Sequence, residues 1–292
     1  MDRDWIIILT LGVAWGTTFF FNDMLLRDLG PLSVSLARVS VAAVTGWAYL
    51  LATGRSGAVL PRDLAALMVL GALMFAIPFA IYPLGQQYVA SGVAGIVNAL
   101  TPVMVVVISH FWPGGERATL LKSLGVLAGF LGIVFLTFPA MKSTQESVLF
   151  GTLVIVLAPV SFACAMNWVR ILRGIEMSVV ATWGFTFAAL MLSPLVLVIE
   201  GVPDRIQTSS WISILILGVF LTGVSFIVAF TIMPRAGATK TSTVTFVAPV
   251  SALLIGWLVL DETLGLAHFL GMASIFLGLL LVDGRLFRPK LN

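Results

Sequence analysis

Apolar runs about twenty residues long recur from one end of this 292-residue chain to the other, and no feature limits its fold more. A helix needs about 20 mostly apolar residues to cross the hydrocarbon of a bilayer. The runs predict ten spanning helices, over 5–27, 31–53, 62–84, 91–112, 118–138, 149–170, 178–199, 209–231, 237–259 and 264–283. Short connections marked by Gly, Pro or charge separate them, and none is long enough to form an extramembrane domain. With 60% hydrophobic and only 10% charged residues, there is too little polar surface for a soluble domain. The fold class expected is an all-α membrane protein. No Lys/Arg cluster resembles a nucleic-acid footprint. The single cysteine, Cys164, excludes an internal disulfide framework and reads as a small packing residue. The first apolar run follows Met1-Asp2-Arg3-Asp4 without a convincing cleavage site, and reads as a retained helix.

Positive charge sets the expected orientation. Arg3, Arg55, Arg62, Arg117, Lys122, Arg170, Arg173, Arg235, Lys240, Arg285, Arg288 and Lys290 fall on one side. Arg27, Lys142 and Arg205 fall on the other, and Arg38 lies inside the second span. Twelve against three predicts that both termini are cytoplasmic. Seven tryptophans sit near span ends, where amphipathic rings favour the headgroup region; Trp15 alone sits near the middle of its helix.

The chain also resembles itself at half its length. Leu11, Leu26 and Arg27 match Leu157, Leu172 and Arg173 at an offset of 146, as Ala42-Ala43 match Ala188-Ala189. Phe79 matches Phe226, and Pro102-Val103 match Pro249-Val250, at 147. The offset then returns to 146 for Glu116 and Glu262, Gly125 and Gly271, and Phe130-Leu131-Gly132 and Phe276-Leu277-Gly278. Two repeats are expected, 1–146 and 147–292, each with five spans. An odd number of spans inserts the second repeat upside down, an architecture that secondary transporters use for alternating access.

Ala14-Trp15-Gly16-Thr17 in the first span, the segments Pro102 to Glu116 and Pro249 to Asp261-Glu262, and the glycine-rich fifth and tenth spans carry a resemblance to a known family. The chain resembles EamA-type members of the drug/metabolite transporter superfamily over essentially its whole length. The arrangement is most similar to bacterial exporters of aromatic and other hydrophobic amino acids. The resemblance implies export of small metabolites across the cytoplasmic (inner) membrane with no ATPase subunit, and no phosphate-binding GxxxxGK[ST] loop is present. It implies no cofactor, and a monomer or homodimer in the bilayer. Small multidrug transporters of the superfamily use a central carboxylate in helix 1. Here Asp23 lies nearer the outer end of that span, which favours a facilitator or exchanger.

Pro102 and Pro249 are the expected hinges. A proline cannot donate to the carbonyl four residues earlier, here that of Asn98 and of Thr245, so a polar side chain and a freed acceptor coincide at mid-membrane. Packing kinks are the alternative. Trp15, with Ser161 and Phe162 near the equivalent place in the sixth span, offers an apolar wall for a ligand. Tyr82 and Gln86, with Tyr88, are expected near the outer mouth of the third span, where they would gate or filter substrate or form an ordinary interfacial belt; Tyr82 and Gln86 are counted as substrate-binding candidates. An unpaired Arg38 near a helix centre would cost about 2.5–3.5 kcal/mol on insertion scales, so a structural ion pair with Asp23 is expected, with substrate-carboxylate binding as the alternative. His110 is the remaining candidate for ion coupling. Neither histidine has a carboxylate at ligand spacing, so no metal site is expected. The Gly125, Gly129, Gly132 face and the Gly271, Ser274, Gly278 face are expected to pack closely.

The leading function is therefore a secondary transporter of small organic metabolites, most readily aromatic or hydrophobic amino acids. A carrier of phosphorylated or nucleotide-linked sugars would need several cavity-facing basic residues. An intramembrane enzyme would need a nucleophile–base pair or a carboxylate–His cluster, and the sequence offers neither.

Overall fold

All regular structure among the described residues is helical, as burial in lipid demands of backbone groups that have no water to bond. The computed structural model describes residues 3–142, 146–203 and 205–283, and within them the side chains of all but 139–142, 233–243 and 283. The side chains of Lys142, Arg235, Lys240, Arg285, Arg288 and Lys290, used above for orientation, lie outside those described.

Helix α1 spans Arg3–Leu26 and α2 spans Pro31–Ala52. The next apolar segment comprises α3 (Pro61–Gly71), a π-helical turn (Ala72–Ala76) and α4 (Ile77–Gln86). Two short helices follow, α5 (Ser91–Asn98) and α6 (Thr101–Phe111). Then come α7 (Leu120–Lys142), α8 (Glu146–Trp168) and α9 (Met177–Ile199). Helix α10 (Thr208–Leu215) runs through a π-helical stretch (Ile216–Val224) into α11 (Ser225–Val259), and α12 spans Leu266–Asp283. Eight helical stretches are long and apolar enough to cross a membrane, and two further apolar stretches, Val244–Val259 and Leu266–Val282, are shorter.

The two prolines act differently. Pro102 lies in the first turn of α6, where its missing N–H is tolerated, and the helix is interrupted between Asn98 and Thr101. The Thr101 hydroxyl donates to the Asn98 carbonyl at 2.7 Å, so the acceptor that Pro102 releases is taken locally. Pro249 is buried, and α11 runs through it unbroken. The expectation of two matching hinges is corrected to one interruption.

Helix α11 also differs from the expected separation of spans 209–231 and 237–259. A straight helix of its 35 residues would be about 52 Å long. Yet Ser225 bonds Trp15, and Ala248 and Ser251 pack on the adjacent Gly16. The Ser225 end runs antiparallel to α1, with Ala229 beside Ile8 and Leu11. The Val244 end runs parallel to it, with Val247 on Gly12 and Ser251 on Gly16. The two segments, up to Ile232 and from Val244, therefore run in opposite directions along α1.

Carboxylates hold two helix starts. Leu32 N and Ser33 N at the start of α2 each donate to Glu200 at 2.8 Å. Ser91 N and Gly92 N of α5 donate to Glu262 at 2.6 and 3.0 Å. The first N–H groups of a helix have no intrahelical partner, and an anion there also meets the positive end of the helix dipole.

The two glycine faces meet as expected. A Cβ on Gly125 would stand 2.7 Å from the Gly278 carbonyl oxygen, and one on Gly132 would stand 2.8 Å from that of Gly271. Between them Ser274 Oγ donates to the Ala128 carbonyl at 2.8 Å. Elsewhere α2 packs on α9, and α8 packs on α4, α5 and α6.

Candidate functional site

Helix α4 presents Phe79, Tyr82 and Gln86 on one buried face. The π turn before it inserts one extra residue per turn and so resets which side chains face inward. A proline shapes this helix as well. Pro83 cannot bond the Phe79 carbonyl, and Ser35 Oγ of α2 donates to that oxygen instead, at 2.7 Å. Ser161 Oγ of α8 donates to the Leu73 carbonyl, within the π turn, at 2.7 Å. Ser35 and Ser161 thereby tie α2 and α8 to the irregular part of the third segment.

The Tyr82 hydroxyl donates to Asn98 Oδ1 at 2.6 Å, at the last residue before the interruption between α5 and α6. Gln86 Nε2 donates to the Phe19 carbonyl at 2.9 Å, and Asn22 Nδ2 donates to Gln86 Oε1 at 3.0 Å. Tyr82 and Gln86 are therefore buried in a polar seam shared with α1 and α5. Their burial disfavours an interfacial belt for these two residues. Tyr88 alone is exposed, its ring edge-on to Phe150.

An aromatic wall adjoins that seam. Trp15 stacks at a tilt on Phe226 at 5.3 Å between centroids, and its indole N–H donates to Ser225 Oγ at 3.2 Å. Phe226 in turn stands 6.1 Å from Phe79, and Phe162 lies 6.4 Å from both Phe79 and Tyr82. The structure thus joins Trp15, Phe162, Tyr82, Gln86 and Asn98 into one continuous group. Ser161 serves that group from behind, through Leu73. Thr245 is half-buried next to Val244, which packs on Ile8 and Leu11. Phe226, Phe79 and Ser35 were not singled out as site residues by sequence. The match of Phe79 with Phe226 was the available signal for the first two.

The expected Asp23–Arg38 ion pair does not form. Asp23 pairs one helical turn away with Arg27, at 2.9 Å on an exposed end of α1. Arg38 is 4% exposed, donates from Nε to Thr222 Oγ1 at 2.8 Å, and stacks 3.7 Å above the centre of Phe79. The reason is packing: α2 lies along α9 and the π stretch 216–224, which turns Arg38 away from α1. His110 is corrected too. It is exposed at the end of α6, and its Nδ1 accepts from Ala118 N at 3.0 Å, so it caps a loop and does not enter the interior.

Two cavities lie elsewhere. One of about 530 Å³ opens between residues 56–63 and 171–179, with Arg62, Asp63, Arg173 and Glu176 at its edge. The other, about 230 Å³, is a groove beside Trp47 and Thr186 on α2 and α9. Neither touches the aromatic wall. The first is lined by loops and exposed charges, so the polar and aromatic group inside the helices is the better candidate.

Buried polar groups such as Arg38, Gln86 and Ser225 lie beside these aromatic rings, an arrangement suited to holding a small solute inside a helical membrane protein. The chain belongs to the EamA-like transporter family, whose pattern matches twice, over residues 5–138 and 149–283. It is 28% identical to a Bacillus subtilis protein named as an uncharacterized transporter, YoaV, over 93% of this chain and 94% of that one. It is 25% identical to the protein PecM of Dickeya dadantii, over 92% and 89%. It is 22% identical to an Escherichia coli protein named as an uncharacterized inner membrane transporter, YedA, over 94% and 89%. A crystal structure 21% identical in sequence shares the fold, with a TM-score of 0.68 over 98% of this chain and 99% of the other.

Proposed function

We propose that this chain is a secondary transporter of the inner membrane that exports small organic metabolites, foremost amino acids with aromatic or hydrophobic side chains. It does so by alternating access at a site between two inverted five-helix repeats, residues 1–146 and 147–292, with ten crossings and both termini in the cytoplasm. The observation that carries the reading is the enclosed group itself: an aromatic wall of Trp15, Phe226, Phe79 and Phe162 beside the polar Tyr82–Asn98 pair. Such a wall suits an apolar side chain, and the polar end suits a head group.

Reciprocal contacts support the inverted repeat. At the offset of 146, Gly125 corresponds to Gly271 and Gly278 to Gly132, so the Gly125–Gly278 and Gly132–Gly271 contacts exchange under a twofold rotation. Ala128 and Ser274, which bond each other, correspond to one another, and so do the neighbouring rings of Phe79 and Phe226, as residues beside such an axis would. Both repeats carry a π-helical stretch in the third helix, at 72–76 and 216–224. The opposite directions of the α11 segments before Ile232 and after Val244 support ten crossings. The similarity to YedA, named as an inner membrane transporter, supports the inner membrane.

A sugar-phosphate carrier is the weaker reading, because Arg38 is the only buried charged side chain among the described residues. The absence of a buried carboxylate among them supports a facilitator or exchanger. The test is flux of radiolabelled amino acids into liposomes holding only this protein. Uptake above protein-free liposomes is expected; no uptake of any amino acid would reject the substrate class.

A further inference from the structure

Arg38 uses only one of its donor groups. The Nε–H bonds Thr222 and the plane rests on Phe79, while both Nη groups have no hydrogen-bond partner among the described residues. Nor are they sealed in, since the fully enclosed side-chain atoms without partners are Asn22 Oδ1 and Ser91 Oγ. A guanidinium that is 4% exposed, with both Nη groups unpartnered among the described residues, holds a planar fork that matches a carboxylate.

The scaffold does not require a cation at this point. The Arg38 carbonyl packs on Gly218, and a Cβ there would stand 3.2 Å from its oxygen. The Gly184 carbonyl packs in the same way on Gly71, at 2.8 Å. At the repeat offsets, Gly184 stands for Arg38, Gly71 for Gly218, and Phe75 for Thr222. In that second half the Phe75 ring lies against Gly184, where a Cβ would stand 2.6 Å from it. An aromatic ring fills one half of the node that a guanidinium and a threonine fill in the other. Packing can therefore be met without charge, while burying an unpaired cation in the membrane is costly.

We propose that Arg38 anchors the carboxylate of the transported molecule, whose apolar part lies along the wall of Phe79, Phe226 and Trp15. The substrate class is then a monocarboxylate bearing an aromatic or aliphatic group, with amino acids among its members. A single cation balances one negative charge, which selects against a phosphate dianion. This assignment rests on the transporter reading above.

Calorimetric binding to the full-length protein in detergent tests it, with L-phenylalanine, 3-phenylpropionate and L-phenylalaninamide as probes. Wild type is expected to bind both carboxylates at least about tenfold more tightly than the amide, the loss typical of one charge-assisted hydrogen bond. Arg38→Gln should erase that preference while leaving the amide unchanged within about twofold. Arg38→Lys should keep part of it, because an ammonium supplies charge without the fork. If Arg38→Gln fails to fold, the wild-type and Arg38→Lys comparisons decide alone. Equal binding of amide and carboxylates by wild type, or undiminished carboxylate binding by Arg38→Gln, overturns the assignment, as does no binding of any probe. Flux of the same probes in liposomes separates the two levels. Carboxylate-selective binding without flux would reject the transporter reading and keep the site; flux without carboxylate preference would do the reverse.

Discussion

The Tyr82 hydroxyl and Asn98 Oδ1 are 2.6 Å apart, and this bond joins α4 to the residue at which the following helix breaks. It sets the polar end of the aromatic group and fixes the Asn98 amide, whose nitrogen is left for other partners. Tyr82→Phe removes the donor and leaves the ring in place. The variant should unfold in detergent with a loss of about 1 kcal/mol. Asn98→Ala should lower transport of every substrate alike, if the amide holds a common head group. In the double variant the stability losses should fall short of their sum. Thermal unfolding of the three proteins checks the coupling, and strict additivity would contradict it.

Asp23 and Arg38 should behave as independent residues. Asp23→Ala removes only an exposed pair one turn long, so the stability loss should stay below about 0.5 kcal/mol. Arg38→Ala should change stability by an amount that adds to it. Non-additive unfolding midpoints would restore the pair that the sequence suggested.

Why that pair misled is a matter of which helices touch. Depth along a span can be read from sequence, and by depth alone Asp23 and Arg38 were compatible. Which face of α2 meets which neighbour cannot be read so, and α2 packs on α9 instead of along α1. The burial of Tyr82 was not legible for a related reason. A π turn at 72–76 leaves no clear mark in the residues themselves, yet it rotates everything after it. By contrast the all-helical, apolar character, the glycine faces of α7 and α12, and the break before Pro102 were legible, because each follows from residue size, hydropathy or a missing N–H. Pro249 carries the same missing N–H and leaves α11 intact, so the proline predicts a weak point and tertiary packing decides whether it opens.

The α7–α12 contact has no room for a side chain. Gly278→Val should destabilise the protein by about 1–3 kcal/mol, since its Cβ would stand 2.6 Å from the Gly125 carbonyl oxygen. The same substitution at Gly114, an exposed turn outside this contact with open space around it, should spare the interface and cost only the strain of its positive φ. Expression level and unfolding temperature in detergent would report the difference. Equal effects would mean that the two helices do not meet as closely as described.

Orientation is open to chemical labelling. In a Cys164→Ser background, Gln87→Cys should react with a membrane-impermeant maleimide added to intact cells, and Arg117→Cys should react only after the cells are opened. Both positions are exposed. The reverse pattern would overturn the proposed cytoplasmic placement of the termini.

Transport should need no imposed ion gradient, because His110 is exposed and Arg38 is the only buried charge among the described residues. Counterflow of labelled substrate in liposomes with equal pH and sodium on both sides is expected to proceed at a measurable rate. A strict requirement for a proton or sodium gradient would contradict this.

The most direct measurement of the central claim compares labelled phenylalanine and alanine in counterflow by wild type and Trp15→Ala, at matched abundance and after unfolding shows both proteins folded. If Trp15 and Phe226 form the wall of the substrate site, the half-saturation for phenylalanine should rise about tenfold, while that for alanine changes by less than about twofold. Half-saturation values that move together, or do not move at all, would contradict the placement of the site at this aromatic wall.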